Sequence, residues 1–317
     1  MVEPSWVGRR VSVRRVVERS AEGRLLFGDV VGELVGLDAQ TAVLDTRSGL
    51  VEVPVPYVAA ARLVPASTAD ELALDAVAAR GLRPAETGEL GGWLLRADDG
   101  TVRRANSVLP RRQLGMPLDD ALAQARQWYA DRGLPLLIGV QAEARRLLDA
   151  ELGERGWNPV GESHVMATTL RSTTADVPRD TAAGVAVELT ATPDDDWLAL
   201  YRGGAAATAA GLALLTRHDR VVFARVRVDG RTVAVARGAV DEHWLGVMAV
   251  EVAPQHRRRG LARAVTARLW EWGREQGATR SYLQVEAANT AAVTLYERLG
   301  YWVHHDYRYR EDPETTR

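Results

Sequence analysis

Arg257, Arg258 and Arg259 stand immediately before Gly260, Leu261 and Ala262, where the run VMAVEV gives way to Pro254 and an amphipathic segment begins. A proline cannot continue a strand ladder. Leu261, Val265, Leu269 and Trp272 then recur at helical spacing, so a strand should end here and a helix should run over 258–276. The first amides of a helix lack carbonyl partners and carry the positive end of its dipole. Gly260 lets a ligand approach the backbone, Ala262 keeps the next wall low, and the three guanidinium groups add charge. Such a junction suits a phosphate or pyrophosphate.

Other chemistries lack their residues. The chain has no lysine, so the GxxxxGK[ST] phosphate loop is absent, and no GxGxxG follows a strand. With no cysteine there are no disulfides, zinc thiolates or thiol nucleophiles. The six histidines show no ligand spacing, so no metal site is expected; His304 and His305 are adjacent on a strand and point opposite ways. GESHV (161–165) misses the nucleophile elbow by its last glycine.

Two motifs together resemble the GCN5-related N-acetyltransferases (GNAT). One is R-x-x-G-x-A, Arg257 to Ala262, after V-x-V-x-P; the other is LQVEAANTAAVTLYERLGY, matching a strand followed by N-x-x-A-x-x-L-Y-E-x-x-G-[FY]. Asn289 and Tyr296 lie about two turns apart at roughly 3.6 residues per turn, hence on one helix face. The resemblance covers 185–310. GGWLLRA, ANSVLP, WGREQGATRSYLQV and HHDYRY are similar to the actinobacterial members that carry an N-terminal SH3-like barrel. It implies acetyl-CoA (coenzyme A) as acyl donor, held by Arg257, Arg258, Arg259, Gly260, Leu261 and Ala262. The pantetheine arm would pair with the backbone at Val250 and Val252, and Asn289 would contact it. Tyr296 would be the general acid. Where family members place a base, this chain has Gln284 or Gly246, and Glu242, His243 and Glu251 stay unplaced, so no base is assigned.

The elements that must position these residues fall into three blocks. Residues 1–66 read as strands, with Val11, Val13 and Val17 on one face, then 30–37, 41–46 and 50–55, suggesting a small SH3-like barrel. Its eight arginines are balanced by eight acidic residues, so docking or homodimerisation is expected rather than nucleic-acid binding. Residues 67–170 alternate helix and strand and look like a degenerate GNAT-like half. In it Pro117 stands where a phosphate loop needs an N–H, and Arg145 and Leu152 replace Asn289 and Tyr296. A linker is expected at 171–184. Residues 185–317 form the GNAT unit, with Thr192 and Pro193 opening a helix whose first turn holds Asp194, Asp195 and Asp196. Both halves end in helix, glycine–aromatic pair and strand, at Gly156–Trp157 and Gly300–Tyr301, which points to an internal duplication.

The expected fold class is therefore α/β (α+β), a β-barrel followed by two halves around a mixed sheet. A net charge of −2 gives no global attraction to nucleic acid or anionic membrane. No signal-peptide core or membrane-length apolar run is read, and a cytoplasmic location is expected. The resemblance implies a primary amine as acceptor, of a small molecule or a protein, and loop 203–219 is a candidate to shape its pocket. The alternative is a non-catalytic acyl-CoA-binding or scaffold protein.

Overall fold

The computed structural model of the chain describes residues 2–19, 23–170, 185–204 and 207–315. The expected linker at 171–184 lies outside them. The chain divides into two compact units, Met1–Ser67 and Thr68–Arg317.

The first unit is one antiparallel sheet of β1 (Arg10–Arg19), β2 (Leu25–Leu37), β3 (Thr41–Thr46), β4 (Gly49–Pro54) and β5 (Val58–Leu63), in the order β4-β3-β2-β1-β5. Val11, Val13, Leu34, Ala42, Leu44 and Val53 are fully buried on one face. The expected partner Val17 is instead 53% exposed. The β1–β2 register slips between Val16 and Glu18, and one inserted residue turns the following side chain to the other face. The sheet is open: a 3-10 turn, Val55–Tyr57, joins β4 to β5, and these two edge strands do not pair.

The second unit begins with α1 (Thr68–Gly81), β6 (Glu86–Leu90), β7 (Trp93–Ala97) and the two-residue β8 (Leu109–Pro110). Between β7 and β8 the segment RRANSV opens as a 3-10 turn at Arg103–Ala105. Then come α2 (Leu118–Ala130), β9 (Leu137–Gln141), α3 (Arg146–Glu154) and β10 (Asn158–Thr169). The second half supplies β11 (Val187–Thr190), α4 (Asp195–Leu200), α5 (Ala209–Thr216), β12 (Val221–Val228), β13 (Arg231–Asp241) and β14 (Trp244–Val252). It closes with α6 (Leu261–Glu275), β15 (Arg280–Glu286), α7 (Thr290–Arg298) and β16 (Trp302–Glu311). Helix α4 is capped by Asp194, not Thr192: its carboxylate accepts from the Trp197 amide at 2.9 Å and pairs with Arg225 and Arg227.

Eight strands share the main sheet in the order β11-β12-β13-β14-β15-β10-β16-β9. β14 and β15 are parallel, and the other pairings are antiparallel. The final strands of the two halves are exchanged. β10, from the first half, lies between β15 and β16, while β16 pairs with β9 of the first half. The local order also repeats. β7 is antiparallel to β8, and Val108 bridges in parallel to Ile138 of β9, as β13 is antiparallel to β14 and β14 parallel to β15. Leu261, Val265 and Leu269 of α6 bury against Val222, Ala224, Ala236, Leu245 and Val247 of the sheet, which seats the helix whose start carries the arginines.

Candidate active site

The parallel pair β14–β15 holds together for only four residues, Trp244–Val247 against Arg280–Leu283. From Met248 onward β14 keeps its partner β13 but has no ladder with β15, so one backbone edge faces a gap. A bulge sharpens the parting: Ala249 and Val250 stand opposite the single residue Ala236, and Ala249 takes a φ of 53°. Positive φ costs a non-glycine residue roughly 1–2 kcal/mol, and such strain collects where a site needs a particular backbone.

At the far end of the gap, β14 passes through a 3-10 turn, Pro254–His256, into α6. Arg258 (φ 62°) and Gly260 (φ 77°) both adopt the left-handed conformation, and Gly260 is the N-cap of α6. Among the described residues, the amides of Arg258, Arg259 and Gly260 donate to no backbone carbonyl, and Leu261 and Ala262 open the helix where no carbonyl precedes them. The result is a concave run of N–H groups at a helix's positive end, a donor set that fits a pyrophosphate. Helix α6 begins at Leu261 rather than 258, because the αL residues belong to this turn. Arg257 folds back so that its Nε donates to the Val252 carbonyl at 3.2 Å, which already occupies one of the backbone groups expected to meet a pantetheine arm. Arg259 lies 3.4 Å from the His256 ring nitrogen, and Arg258 is exposed.

Tyr296, on α7, packs with Leu261, Val250 and Val252 in one apolar cluster. It is 7% exposed, and its ring meets that of Tyr301 edge-on at 5.7 Å. The two phenols differ in a decisive way. The Tyr301 hydroxyl accepts from Trp270 Nε1 at 2.9 Å and lies 2.7 Å from Ser281 Oγ, so it is fully engaged in packing. Among the described residues the Tyr296 hydroxyl has no partner, yet it is not among the sealed, unpaired polar atoms, so it keeps some contact with solvent. Burial pushes the Tyr296 phenol up to about 12, which keeps the proton in place at neutral pH. Asn289 is exposed and caps α7, its Oδ1 accepting from the Ala292 amide at 3.2 Å, so its side chain is oriented before any ligand arrives.

The positions where a base was sought are filled. A side chain at Gly246 would overlap the Tyr282 hydroxyl, and Gln284 accepts from Arg104 at 2.8 Å. Glu242 and His243 sit in the β13–β14 turn, at the opposite end of β14 from the gap, with Glu242 paired to Arg80. Glu251 is different. It is half-buried on the parted segment and accepts from the Arg202 amide at 2.9 Å, and burial raises its pKa despite that bond.

Beside the bulge lies a small cleft that opens to solvent. Met248 and Ala249 form its floor, Leu82, Leu214 and Leu215 its apolar walls, and Arg104, Arg202 and Arg237 reach it from three elements. Loop 203–219, expected to shape the acceptor pocket, contributes α5 to this wall; residues 205–206 lie outside the described ones. Sequence reasoning missed this set, although an arginine inside the apolar run TVAVARGAV was a legible signal.

The first half parts its β8 and β9 after a single bridge, Val108 to Ile138, but seals the loop that would hold an anion. Its loop 112–114 lies directly on the β6–β7 turn: a Cβ on Gly91 or Gly92 would overlap the carbonyls of Leu114 or Gln113. Pro117 is the N-cap of α2, and Asp119 and Asp120 fill its first turn, where an anion would be repelled. Arg145, in the loop after β9, donates its Nε to the Pro110 carbonyl at 3.1 Å and so bridges across to the end of β8. Leu152 is fully buried. Among the described residues no cluster of three or more His, Asp or Glu could hold a metal, and no single helix is long and apolar enough to cross a membrane.

The family profile described as "Probable histone acetyltransferase Rv0428c C-terminal" matches residues 68–310. The curated protein of that name from Mycobacterium tuberculosis is 31% identical, over 96% of each chain. A GCN5-related N-acetyltransferase from Kribbella flavida superimposes with a TM-score of 0.58 at 21% identity, over 76% of this chain and 95% of that one. A tandem GNAT protein from the clavulanic acid biosynthesis pathway gives 0.52 at 13% identity, over 78% and 90%.

Proposed function

The chain belongs to the GCN5-related N-acetyltransferase family and is an N-acetyltransferase, and from that premise we propose that it transfers the acetyl group of acetyl-CoA to a primary amine. The observation that carries the donor half is the coincidence of two features on one strand. β14 parts from β15 at its bulge, and the uncapped amides of Arg258 to Ala262 lie where the same strand turns into α6. The first leaves backbone groups at Val250 for an extended arm, which would have to displace Arg257 from the Val252 carbonyl to pair there as well, and the second offers a pyrophosphate seat flanked by Arg257, Arg258 and Arg259.

Acetyl-CoA supplies an activated thioester: as the amine nitrogen bonds to its carbonyl carbon, the C–S bond breaks and coenzyme A leaves. The chain's residues serve that exchange. The parted edge of β14 near Val250 offers an N–H to the developing oxyanion. Tyr296 delivers its proton to the departing sulfur, a contribution typically worth about 10²–10⁴-fold. Asn289, held by its own cap, orients the arm. Glu251 takes up the proton the amine must lose, aided by a pKa raised through burial. The first half, with Arg145 bridging its strands, binds no second donor. The N-terminal sheet is assigned as an SH3-like docking module, supported by its strand order and the 3-10 turn between β4 and β5.

The experiment is thiol release on mixing the protein with acetyl-CoA and a panel of amines, peptides included. Release that depends on both the amine and Tyr296 supports the reading. Absence of release with every amine, in a protein that binds acetyl-CoA, refutes it.

A further inference from the structure

The cleft beside the bulge is unusual in its charge. Three guanidinium groups line it and, among the described residues, no carboxylate does. Arg202 is exposed at its mouth, its Nη1 donating to the Thr101 carbonyl at 2.8 Å. Arg104 is partly exposed and reaches Gln284 on β15, at the parting of the strands. Arg237 is fully buried. Its Nε donates to the Leu215 carbonyl at 2.8 Å and its Nη1 to the Gly81 carbonyl at 3.1 Å, while Nη2 has no hydrogen-bond partner among the described residues.

A buried guanidinium without a counter-ion is an uncompensated charge. Burial draws the Arg237 pKa down to about 10, which still leaves it charged at neutral pH. Its Nη1 is 3.4 Å from Met248 Sδ, and Met248 is the residue just before the bulge. The positive field is therefore centred beside the place where the acyl group would be attacked. A cation-rich segment would be repelled from this cleft. An anion close to the reacting nitrogen would be attracted, and Leu82, Leu214 and Leu215 would cover an apolar group beside it. The same field disfavours a protonated amine and so helps to present the neutral nucleophile.

We propose that the acceptor carries a carboxylate next to its amine and an apolar side chain, as a free apolar amino acid does, with Arg104 and Arg237 as the specificity-determining cations. This rests on the acetyltransferase reading above. The transfer itself is unchanged: the N–C bond forms, the C–S bond breaks, the sulfur takes the Tyr296 proton and the amine proton passes to Glu251.

The test compares the free amino acids with their carboxamides as acceptors for the full chain, followed by coenzyme A release. Apolar amino acids should exceed their amides in kcat/KM on the order of 10–100-fold, the size of a charge-assisted contact in a desolvated site. Arg104→Gln should bring that ratio to within about threefold, and Arg237→Gln should do the same if it folds. Calorimetry gives a second readout, since leucine should bind more tightly than leucinamide to wild type and not to Arg104→Gln. Amides accepted as well as acids, preference for a lysine-rich peptide, or an unchanged ratio in Arg104→Gln would overturn the proposal. If no amine of any class is acetylated, the acetyltransferase reading fails instead, and the calorimetric comparison still decides whether the cleft selects a carboxylate.

Discussion

Replacing Tyr296 by phenylalanine removes one oxygen from a buried side chain packed edge-on against Tyr301. The hydroxyl makes no hydrogen bond among the described residues, so the roughly 0.5–1.5 kcal/mol usually lost with a bond is not at stake. The ring keeps its edge-on contact with Tyr301 and its place in the apolar cluster. Stability should change by less than about 0.5 kcal/mol, a shift of no more than about 2 °C for a unit of this size. Acetyl-CoA affinity should be nearly unchanged, because the amides from Arg258 to Ala262 are untouched. Turnover should fall by roughly 10²–10⁴-fold, equivalent to about 3–5 kcal/mol of barrier at 1.36 kcal/mol per decade. The assay is single-turnover thiol release, which separates chemistry from product release, with a parallel thermal melt. The pH profile adds a sharper constraint. With its pKa near 12, Tyr296 stays protonated through the working range, so no alkaline limb below about pH 10 belongs to it and Tyr296→Phe should preserve the profile's shape. A fully folded Tyr296→Phe protein with near-normal single-turnover rates would refute the general-acid role.

Three further outcomes are expected. Gly260→Glu should abolish acetyl-CoA binding by calorimetry, since it sets a negative side chain beside the unpartnered amides and strains an αL position; wild type should bind one equivalent per chain, and two equivalent sites would contradict the bridged first half. Stability should decline between about pH 10 and 12: burial raises the Tyr296, Tyr301 and Tyr282 phenols in the fold, so the unfolded chain ionises first, and stability present below pH 10 is lost as pH rises through the folded pKa values. Denaturant titrations against pH would read this, and a flat response would show that these phenols are not buried in solution. Asp194→Ala should destabilise the Thr68–Arg317 unit by about 1–2 kcal/mol through loss of the α4 cap, lowering its Tm by a few degrees; an unchanged melt would assign the cap to water.

The chemistry of the donor end was legible because it is local. A strand stopped by Pro254, a helix opened by Gly260 and the pair Asn289–Tyr296 on one face are relations within about two turns of chain, and local spacing sets them whatever surrounds them. The Gly156–Trp157 and Gly300–Tyr301 pairs likewise carried the repeat of the two halves. The face of Val17 was misread because one residue of bulge inverts an alternation that sequence alone presents as unbroken. Helix α4 starts later than Thr192 because Arg225 and Arg227, on β12, hold Asp194 as the cap. The exchange of β10 and β16 depends on which edge each strand finds, a long-range choice with no local signal. The cleft depends on the same kind of choice. Arg104, Arg202 and Arg237 are far apart in the chain, and although Arg237 stands out inside an apolar run, nothing local joins it to the other two. Packing brings them to one cleft beside the bulge, where Arg237 alone is fully buried and no carboxylate is among the described lining residues.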